Sequence, residues 1–328
     1  MKNLSIVIPE TPSNLSSVIL AFEVFTMANE YYADIGNKPV FKIQLVSNAK
    51  KSVLHNGLFS IHPDVYSSDN PKTDLIVIPA LDEHIQHSLQ CNIELIEWVT
   101  NQYKLGAEVA SLCTGAFLLA AAGILDGKQC STHWQAAGVF KQMFPDLELK
   151  TEKIITDEQG VYTTGGAISS MNLILYIIEK YYSRATAIHC AKIFEIDLDR
   201  NSQSPFAIFS GQKNHEDNEI KKAQIFMEDN VGEKILIEEL AAKFSIDRRN
   251  FDRRFKKATS NTPAEYLQRI KIEAAKKSFE TTRKSVNEVM YDIGYSDTKA
   301  FRVVFKKITG LSPTDYRNKY NLDKYQYQ

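Results

Sequence analysis

Asn250-Phe251-Asp252-Arg253-Arg254-Phe255-Lys256-Lys257 and Ala300-Phe301-Arg302-Val303-Val304-Phe305-Lys306-Lys307 share one frame of apolar and basic positions at an offset of 50 residues. Thr259, Pro263 and Tyr266 recur at the same offset as Thr309, Pro313 and Tyr316, so the C-terminal third contains an internal repeat. In each copy the two phenylalanines stand four apart, the spacing of one helix face, and the opposite face is left free. Upstream, Leu236, Leu240 and Phe244 in the first copy, and Val286, Val289 and Ile293 in the second, give a shorter apolar helix. Ser245-Ile246-Asp247 makes the first turn, with Asp247 placed to cap the next helix; Gly294 permits the second turn, with Ser296 or Asp297 as the cap. The shorter helices align at an offset of 49, so the second turn is one residue longer. Each copy reads as helix, turn, helix.

The free face of the second helix carries Arg248, Arg249, Asn250, Arg253, Arg254 and Lys256 in copy one, and Thr298, Lys299, Arg302 and Lys306 in copy two. Cationic and amide side chains pair with phosphates and base edges, and a major groove admits one helix. Most charge runs are simply solvated faces, but that does not explain why repeat, turn and charge coincide. From Asp217 onward there are 23 Lys and Arg against 17 Asp and Glu, whereas residues 1–216 hold 16 against 23. The basic third is the part that seeks a polyanion, and double-stranded DNA is the expected partner.

The segment resembles the DNA-binding domain of the AraC/XylS family. The matching residues are Ile237 to Ala241, Asn250 to Lys256, the Thr262-Pro263 and Tyr266-Leu267 step into a long connecting helix, Asp292 to Asp297, and Thr309 to Pro313 with Tyr316-Arg317. Val303 departs from the pattern, since relatives often carry a polar or basic residue there. The resemblance adds RNA polymerase as a candidate partner; its often repeated DNA sites, together with the common pairing of α/β sheet domains like the one read below, imply a homodimer held through the N-terminal domain.

At 328 residues and 44% hydrophobic content, the chain can hold two or three domains with buried cores. Cys91, Cys113, Cys130 and Cys190 lack metal-type spacing and nothing at the N-terminus reads as a signal peptide, so a cytoplasmic location is expected, with no cofactor and no metal. The longest apolar run, Val109 to Leu125, is too short and too interrupted for a membrane span.

Leu4 to Ile8, Phe41 to Val46, Asp74 to Ile78 and Ala107 to Leu112 read as buried strands; Leu15 to Tyr32, Ile85 to Tyr103, Ala116 to Ala122 and Met171 to Tyr182 read as helices. This alternation predicts a parallel sheet covered on both faces, with a ligand site where the loops 79–81, 112–114 and 163–166 meet at the carboxyl ends of strands. The expected domains are an α/β sensor over 1–195, a polar linker over 196–216 and an all-α unit with two helix-turn-helix motifs over 217–328.

Cys113, in Ser111-Leu112-Cys113-Thr114-Gly115, falls on a strand-to-helix corner, where the positive helix end would favour a thiolate. A lone cysteine is more often inert packing. The stretch resembles the ThiJ/PfpI-like superfamily of flavodoxin-like domains, in which an elbow cysteine sits beside a glutamate from an early helix. Glu23 matches that glutamate, and its apolar surroundings, Ile19 to Phe25, imply burial and a protonated carboxyl. Thr132-His133-Trp134 and Gly165-Gly166 match further motifs, although a histidine in such a place is more often a satisfied structural residue. Joined to the AraC-type tail, the whole resembles GlxA-type transcriptional regulators. That implies a small-molecule effector held by Glu23, Cys113, Thr114, His133, Gly165 and Gly166, and no enzyme activity. The alternative is a ThiJ/PfpI-type enzyme, isocyanide hydratase-like or amidase-like, using Cys113. Pro79-Ala80-Leu81 in place of a glycine pair, and Thr114 in place of a histidine, depart from the peptidase pattern.

Overall fold

The computed structural model describes residues 1–321 except 12, 55–56, 83, 167 and 199–201. It divides into two compact units, Met1–Gln203 and Ser204–Gln328. The first unit runs β1 (Lys2–Val7), α1 (Leu15–Asp34), β2 (Phe41–Ser47), β3 (Ser52–Leu54), β4 (Phe59–Ile61), β5 (Val65–Tyr66), β6 (Leu75–Ile78), α2 (Ile85–Cys91), α3 (Ile93–Lys104), β7 (Glu108–Ser111), α4 (Ala116–Ala121), β8 (Gln129–Cys130), α5 (Ala137–Met143), β9 (Glu148–Leu149), β10 (Ile155–Glu158), β11 (Val161–Thr164), α6 (Ser170–Tyr181) and α7 (Arg184–Ile193).

Its main sheet has the order β10-β11-β7-β6-β1-β2-β5, parallel throughout except that β10 pairs antiparallel with β11. The central strand β6 is apolar and buried at all four positions because both faces of the sheet are covered. Leu4, Ile6, Leu75 and Val77 point into one core with α1, α6 and α7. Val7, Ile76 and Ile78 point into the other, with residues of α3, α4 and α5.

The single helix expected over 85–103 is two. It breaks at Asn92, whose buried side chain accepts from the Glu10 amide (2.9 Å) and donates to Ser88 O (2.7 Å), tying the helix pair to the chain after β1.

The second unit is helical: α8 (Asn218–Asp229), α9 (Ile237–Lys243), α10 (Arg248–Thr259), α11 (Pro263–Thr281), α12 (Val286–Asp292), α13 (Thr298–Thr309) and α14 (Pro313–Tyr320). The long helix α11 starts at a capping box between Thr262 and Glu265 and serves two cores. Tyr266 and Ile270 join Phe251 and Phe255 in the first core; Ile272, Ala275 and Phe279 join Phe301 and Phe305 in the second.

The stretch 196–216 is anchored chain rather than free spacer wherever it is described; Asp199, Arg200 and Asn201 lie outside the described residues. Gln203 is buried in the first unit. In the second, Phe209 sets its ring edge on Tyr266, its amide donates to Glu273 (3.1 Å), and the buried Lys276 ammonium donates to Ala207 O (2.6 Å).

Candidate nucleic-acid interface and sensor pocket

The two helix-turn-helix motifs superpose in sequence as the repeat requires, with α9 and α12 offset by 49 and α10 and α13 by 50. Ser245 at φ 55° and Gly294 at φ 72° make the turns; Asp247 caps α10 through the Asn250 amide, and Asp297 caps α13 through the amides of Lys299 and Ala300. Gly294 is required twice over, since a Cβ there would lie 2.4 Å from Gly232 O. Lys271, buried on α11, donates to Ile293 O at the end of α12 (2.7 Å) and to Glu233 O (2.9 Å), joining both motifs to the shared helix. Leu236 is exposed just before α9, whose inward face is Ile237, Leu240 and Ala241.

Phe251, Phe255 and Thr259 anchor α10, and Phe301, Phe305 and Thr309 anchor α13. Opposite them Arg249, Arg253 and Lys256 form one exposed stripe, matched by Lys299, Val303 and Lys306. Arg253 donates to Asn250 Oδ1 (2.8 Å), which pre-positions an amide and a guanidinium side by side. Thr298 is half-buried and Arg302 exposed.

Two arginines expected on the free face are otherwise engaged. Arg254 makes a fork to both carboxylate oxygens of Asp217 (2.8 and 2.6 Å), fastening the N-cap of α8 to α10. The pair holds the Asp217 carboxyl below its ordinary range, the arginine hydrogen bond being the main cause. Arg248 bonds Glu238 and Asp252. Helical spacing alone could not reveal a partner 37 residues away.

In the first unit, the turn after β7 is a sharp elbow with Cys113 at φ 55°, a region that non-glycine residues rarely enter. Gly115 permits its approach to the loop after β6, since a Cβ there would lie 2.6 Å from Pro79 O; the Thr114 hydroxyl donates to Leu81 O (2.7 Å). Thr132 donates to Cys113 O (3.0 Å), and Thr163 Oγ1 accepts from the Ser131 amide (2.6 Å). The expected loops do meet at the carboxyl ends of the strands.

Burial weighs against the thiolate expectation. Burial pushes the Cys113 thiol up to about 11, and the neighbouring Thr114 amide only partly opposes this, so a short six-residue helix does not compensate for desolvation.

Glu23 is likewise misplaced by the sequence. Ser17, Val18, Ala21, Val24, Phe25 and Ala28 form the inward face of α1, and Glu23 falls on the exposed side with Ile19 and Phe22. It is not a buried acid.

His133 accepts from the Gln135 amide at Nδ1 (3.2 Å), capping a short turn, and burial lowers its pKa. Its ring lies against Gly166, where a Cβ would sit 3.4 Å from it. Gln203, absent from the sequence expectations, completes the cluster. Its side-chain oxygen accepts from the amides of Trp134 (3.1 Å) and Gly166 (3.2 Å).

Among the described residues no group of three or more His, Cys, Asp and Glu could hold a metal, and no helix is long and apolar enough to cross a membrane.

A doubly covered parallel sheet with a strained cysteine elbow, followed by two basic helix-turn-helix motifs on one helix, defines a DNA-binding regulator of transcription with a fused α/β domain. Specifically, the chain joins a DJ-1/PfpI domain to an AraC-type helix-turn-helix domain, the fused architecture of GlxA-type regulators: residues 23–180 match the DJ-1/PfpI family and residues 240–319 a helix-turn-helix domain family. It is similar to the HTH-type transcriptional regulator GbdR of Pseudomonas aeruginosa, with 25% identity over 92% of this chain and 81% of that one. It is also similar to the HTH-type transcriptional regulator GlxA of Rhizobium meliloti, at 22% over 66% of this chain and 67% of that one. The fold is shared with a ThiJ/PfpI family protein from Pseudomonas syringae, at a TM-score of 0.51 and 17% identity over 74% of this chain and 87% of that one.

Proposed function

We propose that the protein is a cytoplasmic, sequence-specific regulator whose two recognition helices, α10 and α13, are controlled by a small molecule bound in the first unit. The observation that carries this reading is the repeated exposed stripe, Arg249-Arg253-Lys256 and Lys299-Val303-Lys306, basic at every position but Val303, on helices anchored to one shared helix. Arg249, Asn250 and Arg253 read base edges in one major groove, and Thr298, Lys299 and Arg302 in the next; Lys256 and Lys306 meet phosphate. Arg248 and Arg254 position α10 through their carboxylate partners. The effector lies against Cys113, Thr114, His133, Gly165 and Gly166.

The high thiol pKa supports binding rather than turnover. The strained elbow favours a second reading, an isocyanide hydratase-like or amidase-like enzyme using Cys113. Steady turnover of an isocyanide or amide by the full chain, lost in Cys113→Ala, would establish it. The operative form is a homodimer paired through the first units and acting with RNA polymerase, which sedimentation of the full chain with and without selected DNA tests. The regulator reading itself is tested by selecting DNA from a random pool with the full chain. Recovery of a common motif supports it, and retention of DNA without any motif opposes it.

A further inference from the structure

Gln203 is 2% exposed although it lies in a polar stretch, and its carboxamide is bonded on every side. Oε1 accepts from Trp134 N (3.1 Å) and Gly166 N (3.2 Å). Nε2 donates to Thr151 O (2.5 Å) and Thr132 O (2.9 Å), with Lys153 O (3.4 Å) and Ser131 Oγ (3.5 Å) further out. Two convergent N–H donors facing two convergent carbonyls leave only one orientation of the amide satisfied. The cradle is also shaped for it: a Cβ on Gly165 would lie 2.5 Å from Nε2. Thr132, one of its walls, bonds Cys113 O, so the cradle adjoins the cysteine elbow.

We infer that this cradle is a primary-carboxamide site which Gln203 fills from within the chain, and that an effector bearing a terminal carboxamide displaces Gln203 to bind. The inference rests on the reading that the effector acts through the first unit. A carboxylate would set a charged oxygen against the Thr132 and Thr151 carbonyls, and an amine would leave the Trp134 and Gly166 amides without an acceptor. Gln203 immediately precedes Ser204, where the second unit begins, and its own amide donates to Glu152 O (3.1 Å). Displacement therefore loosens the chain at the junction of the two units.

The test is hydrogen exchange on the full chain at the amides of Trp134, Gly166 and residue 203, with propionamide as the probe and propionate as its control. Gln203→Ala should speed exchange at all three by tenfold or more, and propionamide, but not propionate, should restore protection at Trp134 and Gly166. Gly165→Ala, which drives a methyl group into the cradle, should give the same loss without rescue. Unchanged exchange in both variants, or equal rescue by propionate, would overturn the site; unchanged exchange at residue 203 alone would overturn the release. An effector that stabilises the chain while the residue 203 amide stays as protected as in the free chain would overturn the displacement of Gln203 and leave the effector reading standing. Rescue by propionamide beside an effector that acts only on the second unit would do the reverse.

Discussion

Arg253 and Arg254 are neighbours on α10, yet substituting each by alanine should produce opposite phenotypes. Arg253 is exposed, its guanidinium bonded to Asn250 on the same face. A lost base contact costs about 1–3 kcal/mol, so Arg253→Ala should raise the Kd for a cognate site about 5- to 150-fold, with little effect on random DNA. Arg254 instead grips Asp217 through two bonds, and the two side chains are 32% and 23% exposed. Such a fork lies between an exposed pair and a buried one, so Arg254→Ala should cost about 1–2 kcal/mol of stability. That corresponds to roughly 4–10 °C in the melting of the helical unit. DNA affinity and its salt slope should stay within twofold while the protein remains folded. Because the folded-state pKa of Asp217 is depressed, the stabilisation is whole at neutral pH and is lost as pH falls through it, so wild type and Arg254→Ala should converge in acid. Fluorescence anisotropy on cognate and random duplexes, alongside thermal melts from pH 7 downward, reads all of these. Loss of cognate affinity in Arg254→Ala without any change in melting would refute the assignment of the two faces.

Phe305→Ala removes a fully buried ring from the second core only, so it should cost about 3–5 kcal/mol in urea unfolding and shrink the DNA footprint toward the half read by α10. Lys271→Met leaves the Ile293 and Glu233 carbonyls without their donor and should destabilise the helical unit by about 1–3 kcal/mol in the same assay. With one equivalent of iodoacetamide at pH 7.5, the exposed Cys91 should be labelled ahead of the buried Cys113, Cys130 and Cys190, and mass spectrometry should show the Cys113 rate climbing tenfold per pH unit toward about 11.

The repeat made the second unit legible, because phenylalanines four apart and capped turns fix helix phase locally. The sheet was legible too, since β6 is apolar at all four positions and can only be a doubly covered strand. Asn92 broke a helix through contacts to Glu10 and Thr11 that no local pattern carries. Glu23 was misjudged from apolar neighbours, although the phase of Ala21, Val24, Phe25 and Ala28 already placed it outward. At Cys113 the helix polarity is visible in the sequence, while the depth of burial that opposes it is not. Gln203 left no signal, since a glutamine among polar residues reads as linker and only the folded chain brings it to loops 50 to 70 residues earlier.

As proposed, α10 and α13 occupy successive major grooves on one face of the duplex. Hydroxyl-radical footprinting of the full chain on a selected site measures this directly. Two protected patches per protomer, centred about 10 base pairs apart on the same face, are the predicted result. Protection of a single groove, or of random DNA as strongly as the selected site, would contradict it.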